Sequence, residues 1–125
     1  MAVAEFRTAL RRFLRRSERA ARTSGLTPQR HLLLLMIKGA EGGTQQTTVT
    51  ELADRLQLAQ STVTELVRRA EEVGLVTREQ SQQDARVAHL RLTPEGDRRL
   101  TASFTLLATE RAQLRDAFAQ LDETI

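Results

Sequence analysis

Leu100, Phe104, Leu107, Arg111, Leu114, Phe118, Leu121 and Ile125 fall at alternating steps of four and three residues. That 3.5-residue repeat is the mark of a helix whose apolar seam faces another helix, and Arg111 is its one polar member. The opening residues carry a matching pattern. Val3, Phe6, Leu10, Phe13, Ser17 and Ala20 hold one stripe of a helix over Val3 to Ala20, while Arg7, Arg11, Arg12, Arg15, Arg16, Arg19 and Arg22 take its other faces against Glu5 and Glu18. A basic amphipathic helix of this kind suits anionic membranes or nucleic acid, or is a solvated face on a packing helix. A chain of 125 residues, 40% of them hydrophobic, makes one domain. A domain of that size cannot bury both stripes internally, so the terminal helices are expected to pack together across a twofold dimer. The seam residues would be Val3, Phe6, Leu10, Phe13, Phe104, Leu107, Leu114, Phe118 and Leu121. An intramolecular helix pair is the alternative.

Between these ends the chain is punctuated. Ser24-Gly25 stops the first helix, Thr27 caps a second, and Pro28 fits its first turn, where no amide donor is needed. This helix runs to about Lys38, with Gly39 as its stop, and the apolar run Leu32 to Ile37 predicts cover on most sides. Gly39 to Thr47, with the pair Gly42-Gly43, reads as a loop. Thr50 is expected to cap a helix through about Gln57 that turns Leu52, Ala53 and Leu56 inward. After a break at Leu58-Ala59, a further helix from about Gln60 to Val73 buries Val63, Leu66, Val67 and Ala70 and ends at Gly74.

Two short helices joined by a tight turn are a helix-turn-helix. The outer face of the second carries Ser61, Thr62, Glu65, Arg68, Arg69 and Glu72, with Thr64 on the flank. Hydroxyls near a helix start and arginines two turns on suit base edges and phosphates in a major groove, although any solvated face has a similar composition. Gln60, at the helix start, is placed for a phosphate. Leu75-Val76 then begins an extended stretch. Ser81 to Asp84 is turn-like, and Ala88, Leu90 and Leu92 alternate with Val87, His89 and Arg91 as a half-buried strand does. At the tip of this hairpin Asp84 is placed to orient Arg86 toward a phosphate or a narrow minor groove. Thr93-Pro94 opens the final helix, expected to run unbroken to near the chain end.

The net charge is +3, and Lys38 is the only lysine among nineteen basic residues. Arginine's planar fork suits phosphate and base recognition, and a genome rich in G and C produces the same bias. With no cysteine, disulfide scaffolds, thiolate metal sites and cysteine nucleophiles are excluded. The longest apolar run is too short to span a bilayer and the first residues lack a signal peptide's apolar core, so a cytoplasmic protein without a membrane partner is expected. His31 and His89 are isolated, and no Gly-rich phosphate loop, paired-histidine helix or nucleophile elbow occurs. No catalytic residue, metal ligand or cofactor is expected.

Several pieces together resemble the multiple-antibiotic-resistance regulator (MarR) family of bacterial winged-helix transcription factors. They are Leu26-Thr27-Pro28-Gln29, Thr50-Glu51-Leu52-Ala53, Ser61-Thr62-Val63-Thr64, Gly74-Leu75-Val76, Asp84-Ala85-Arg86 and Leu92-Thr93-Pro94-Glu95-Gly96. The resemblance implies a mainly α fold with a small β-hairpin wing. One winged helix-turn-helix domain, 1–125, would have a DNA-binding core at 26–96 and dimerisation helices at 1–24 and 97–125. It further implies a homodimer on double-stranded DNA, recognition helices in successive major grooves of a pseudo-palindromic operator, and Arg86, held by Asp84, in the minor groove. The DNA-contacting set would be Gln60, Ser61, Thr62, Thr64, Arg68, Arg69, Asp84 and Arg86. Many relatives repress and let go of DNA when a small phenolic or lipophilic molecule binds, and such an effector is expected here between the first, second and last helices. The chain departs from the pattern at Glu65, where a basic residue is frequent. That glutamate repels phosphate and is able to accept from a cytosine amino group. It departs too at Ala59, Ala70 and Ala85. Glu65 and Ala85 keep open one alternative, a winged-helix module that binds a protein partner, and the arginine-rich first helix keeps open another, nonspecific architectural binding of DNA.

Overall fold

In a computed structural model, residues 1–40 and 43–124 are described. Gly42 of the expected loop and Ile125 of the expected seam lie outside them. The elements are α1 (Ala2–Thr23), α2 (Pro28–Lys38), α3 (Val49–Leu56), α4 (Gln60–Glu72), β1 (Val76–Gln80), β2 (Ala88–Leu92), α5 (Pro94–Thr105) and α6 (Ala108–Thr124). They form two compact units, residues 29–100 and residues 1–28 with the chain from Thr101 onward.

In the unit of residues 29–100, α2 buries Leu33, Leu34 and Ile37. Contrary to the all-round cover expected of the run, Leu32 and Leu35 are 43% and 42% exposed. Unbroken hydrophobicity says nothing about which face is covered, and only one stripe of α2 is. Its last carbonyls are met by Arg55, which donates to Met36 O at 3.3 Å and Gly39 O at 3.2 Å, a cation where the helix end is partly negative. The cap of α3 is Thr48 rather than Thr50: its backbone is extended and its hydroxyl accepts from the Glu51 N–H at 3.2 Å. Glu51 in turn accepts from the Thr47 hydroxyl at 2.7 Å. Three threonine-type caps lie within four residues here, and residue preference alone does not rank them.

β1 and β2 pair antiparallel from Val76↔Leu92 to Gln80↔Ala88. Thr47 and Leu90 exchange two backbone hydrogen bonds on the outer edge of β2, at 3.1 and 2.7 Å. The expected alternation holds at buried Leu90 and exposed Arg91, but Ala88 and His89 are both half-buried. His89 lines a polar groove with Thr44, Thr47, Glu51 and Arg55. Thr93 joins the hairpin to α5: its N–H donates to Leu75 O at 3.0 Å, its hydroxyl donates to Gly74 O at 2.6 Å and accepts from the Gly96 N–H at 3.0 Å.

His31 is buried on α2, and burial pushes its imidazole below the ordinary value of 6.5. The neutral form is therefore favoured by folding, and its contribution to stability is complete above that value and lost as pH falls toward the lowered one. Denaturation midpoints should drop as pH falls below the ordinary histidine value of 6.5. His31→Gln should flatten part of that slope; an unchanged slope would place the acid sensitivity elsewhere.

In the other unit, α1 and α6 pack against each other within the chain. The Phe6 and Phe118 rings lie 6.0 Å apart and tilted by 60°, and Arg16 pairs with Glu110 at 2.8 Å. The terminal helices thus pair within one chain, the arrangement given above as the alternative, while Phe118 stays 63% exposed. The single final helix is also corrected. It breaks at Leu106-Leu107, where Leu106 N–H donates to Ser103 O and Leu107 N–H to Phe104 O in tight three-residue steps of 3.2 and 3.1 Å. Arg111 donates to Phe104 O and lays its guanidinium over the Phe104 ring, 3.4 Å from the centroid. The one polar seam residue therefore caps the end of α5 instead of interrupting a continuous stripe.

On the open side of α1, Arg7, Arg11, Arg15 and Arg19 recur every fourth residue. Like charges at that spacing each cost a helix about 0.2–0.5 kcal/mol.

Candidate nucleic-acid interface

α3 and α4 are joined through Gln57, in the left-handed region at φ 56°, then Leu58 and Ala59. The turn sets α4 with Val63, Val67 and Ala70 buried and Leu66 half-buried. The opposite side of its first turn presents Gln60, Ser61, Thr62 and Thr64, all exposed. Ala59 at the cap offers no side-chain hydrogen bond. The first amides of α4 are therefore not satisfied by a capping side chain and stand at the positive end of the helix dipole, where an anion is favoured.

Farther along the same face lies an ionic cluster. Glu65 accepts from Arg68 on both oxygens, at 2.9 and 2.6 Å, and from Arg69 Nε at 3.0 Å. Arg68 also bonds Glu72. The guanidinium of Arg68, helped by that of Arg69, holds the Glu65 carboxyl down at about 2, and Glu65 raises the Arg68 guanidinium in return. Glu65 therefore remains ionised through the whole neutral range. Three of its roughly four lone-pair sites are taken, leaving one acceptor position on Oε2. Arg78 of β1 pairs with Glu71 at 2.8 Å, tying the hairpin to α4.

At the hairpin tip, the Ser81 hydroxyl accepts from the Gln83 and Asp84 amides at 3.2 and 3.3 Å, and Ser81 N–H donates to Val87 O at 2.9 Å. Asp84 accepts from the Arg86 backbone N–H at 3.0 Å and from its Nε and Nη2 at 3.2 and 3.3 Å. The Arg86 side chain lowers the Asp84 carboxyl, with its backbone amide adding to the effect. The arginine is itself 90% exposed. Asp84 and Arg86 are brought together as the sequence proposed.

Sequence reasoning placed Ser81 in the turn but not the two amides its hydroxyl accepts from, although a hydroxyl two residues before a turn amide is a known turn device. It also missed the pairing of Glu65 with Arg68 and Arg69, which the three- and four-residue spacing displays. Of the seam residues, Phe6, Phe13, Leu114 and Phe118 line one groove with Arg111 and Arg115. Val3 and Phe104 are exposed, Leu10 and Leu121 half-buried, and Leu107 is buried. Among the described residues no group of His, Asp or Glu is placed to hold a metal, and no helix is long and apolar enough to cross a membrane.

A MarR family profile matches residues 24–87. No curated protein matches the chain. Among solved structures, a MarR variant from E. coli complexed with operator DNA is 20% identical with a TM-score of 0.74, over 94% of this chain and 85% of that one. A MepR variant from S. aureus bound to an oligodeoxyribonucleotide is 18% identical with a TM-score of 0.71, over 99% of this chain and 97% of that one. The transcriptional regulator MosR of M. tuberculosis, in complex with DNA, is 26% identical with a TM-score of 0.62, over 100% of this chain and 83% of that one. These likenesses give the same fold, helical with a two-stranded hairpin after the helix-turn-helix. With more than half its length inside the family profile and that fold around it, the chain belongs to the MarR family of winged-helix transcription regulators.

Proposed function

We propose that the protein is a sequence-specific DNA-binding regulator, a homodimer that represses from a pseudo-palindromic operator. The observation that carries this is the opening turn of α4. Four exposed polar side chains stand beside uncapped amides on the outer side of a helix-turn-helix. In this reading Ser61, Thr62 and Thr64 meet base edges, and Gln60 and the first amides of α4 take a phosphate. Arg86 enters the adjacent minor groove from Asp84, which fixes its direction without burying it. Arg69 keeps its two terminal nitrogens for a phosphate, while Arg68, with its donors committed to Glu65 and Glu72, acts by holding Glu65. The apolar groove of Phe6, Phe13, Leu114 and Phe118 supports association with a second copy. The resemblance to the family extends the reading to release by a small lipophilic or phenolic effector.

The test is selection of bound duplexes from a random pool at about 150 mM salt, which suppresses purely electrostatic binding. The expected product is an inverted repeat with half-sites about one helical turn apart. Arg86→Ala should bind the selected duplex about tenfold to a hundredfold more weakly. A pool that returns no enriched sequence overturns the reading in favour of nonspecific binding if affinity fades smoothly with salt, or of a protein partner if no duplex binds at all.

A further inference from the structure

Six arginines of α4, the hairpin and α5 differ from those of α1 in their partners. Arg68, Arg69, Arg78, Arg86, Arg98 and Arg99 are each paired with a carboxylate. Helix α4 holds two arginines and three glutamates, a formal charge of −1. By contrast α1 holds seven arginines and two glutamates, a formal charge of +5. Arg7, Arg11, Arg12, Arg15 and Arg19 have no carboxylate partner among the described residues; only Arg16, the sixth arginine of that face, is paired. The longest row of arginines without a carboxylate partner therefore lies on α1, while α4, at a formal charge of −1, keeps among its charged groups only the terminal nitrogens of Arg69 for an outside anion.

We propose that the arginine face of α1 is a second nucleic-acid site, one that binds the phosphate backbone of duplex DNA without reading its sequence. The row from Arg7 to Arg19 extends about 18 Å along the helix. A lone phosphate or carboxylate would meet only one or two of these side chains. A duplex carries one charge per about 1.7 Å of its axis and so offers phosphates along the whole row. Besides arginine, the groove is lined by Ala4 and Thr8; Arg7, Arg11 and Arg15 also border Leu10, Glu18 and the exposed Leu14, and Phe6 of the apolar stripe is turned to Phe118 of α6. The repulsion among arginines one turn apart is unrelieved in the free chain, and a polyanion relieves it. This site is independent of α4 and the wing, and gives one protein two ways to hold DNA.

The experiment compares the intact protein with a variant carrying Arg7→Gln, Arg11→Gln, Arg15→Gln and Arg19→Gln, on a random-sequence duplex over a range of salt. The slope of log affinity against log salt should fall by roughly three to four in the variant. Its melting temperature should stay level or rise, because like charges have been removed. If the fourfold variant does not fold, the pair Arg11→Gln and Arg15→Gln is read in the same way, with a loss of roughly two. An unchanged slope overturns the proposal. Where the slope is unchanged, loss of binding to phosphatidylserine vesicles reassigns the face to a lipid surface, and loss of dimer in sedimentation reassigns it to contact between copies.

Discussion

Gly96→Ala should destabilise the protein by about 3 kcal/mol or more, measured as a shift in urea midpoint at constant slope. Helix propensity predicts the opposite sign, since alanine is worth about 1 kcal/mol over glycine inside a helix. The geometry decides. A Cβ at Gly96 would stand 2.2 Å from the Leu75 carbonyl oxygen, with the Leu75 carbonyl carbon at 3.1 Å and its Cα at 3.3 Å. All three are backbone atoms, so no rotamer change makes room. Leu75 also cannot move alone, because its carbonyl accepts from the Thr93 N–H and its own N–H donates to Ala70 O. Any shift would pass to the end of α4 and the start of β1. Gly74→Ala is the natural control. Its φ is +76°, but a Cβ there meets nothing within 4 Å, so only the left-handed strain of about 1–2 kcal/mol applies. If Gly96→Ala costs no more than Gly74→Ala, the close approach of α5 to Leu75 is not present in solution.

The parts of this structure that were legible in the sequence are those governed by neighbours in the chain. The period of Val63, Val67 and Ala70 marks α4 because burial of a helix stripe repeats every three or four residues. Asp84 and Arg86 are two residues apart, so their pairing needs only a turn. The break between α5 and α6 was not legible. No glycine or proline marks it, and the seam spacing continues through it; what ends α5 is the reach of Arg111 back to Phe104 O, seven residues earlier. The internal pairing of α1 with α6 stood in the sequence only as the alternative to a dimer, because a stripe on a helix states that a partner exists and not whose chain supplies it. The cap of α3 was misplaced by two residues for a similar reason. Thr48 and Thr50 are equal in preference, and it is the extended backbone at Thr48 that selects it.

Glu65 should act as a discriminator, and Glu65→Gln should therefore raise nonspecific affinity while it lowers sequence preference. In the free protein its carboxylate occupies two donors of Arg68 and one of Arg69, with one acceptor position left on Oε2. That position suits the amino group of a cytosine, and the carboxylate repels a phosphate that would draw the same arginines to any sequence. Because the arginines hold Glu65 ionised down to about pH 2, this arrangement does not titrate under working conditions. Glutamine keeps the shape but is neutral, and it gives Arg68 and Arg69 back to phosphate. Affinity for a scrambled duplex should rise and its salt slope should steepen by about one. The preference for the selected duplex over one with a changed G·C pair should fall by about tenfold. The readout is binding of the intact protein and the variant to the selected, the singly changed and the scrambled duplex at two salt concentrations. A variant that loses affinity for all three equally would make Glu65 a brace for α4. One that matches the parent on all three would leave the discrimination to Ser61, Thr62, Thr64 and the wing.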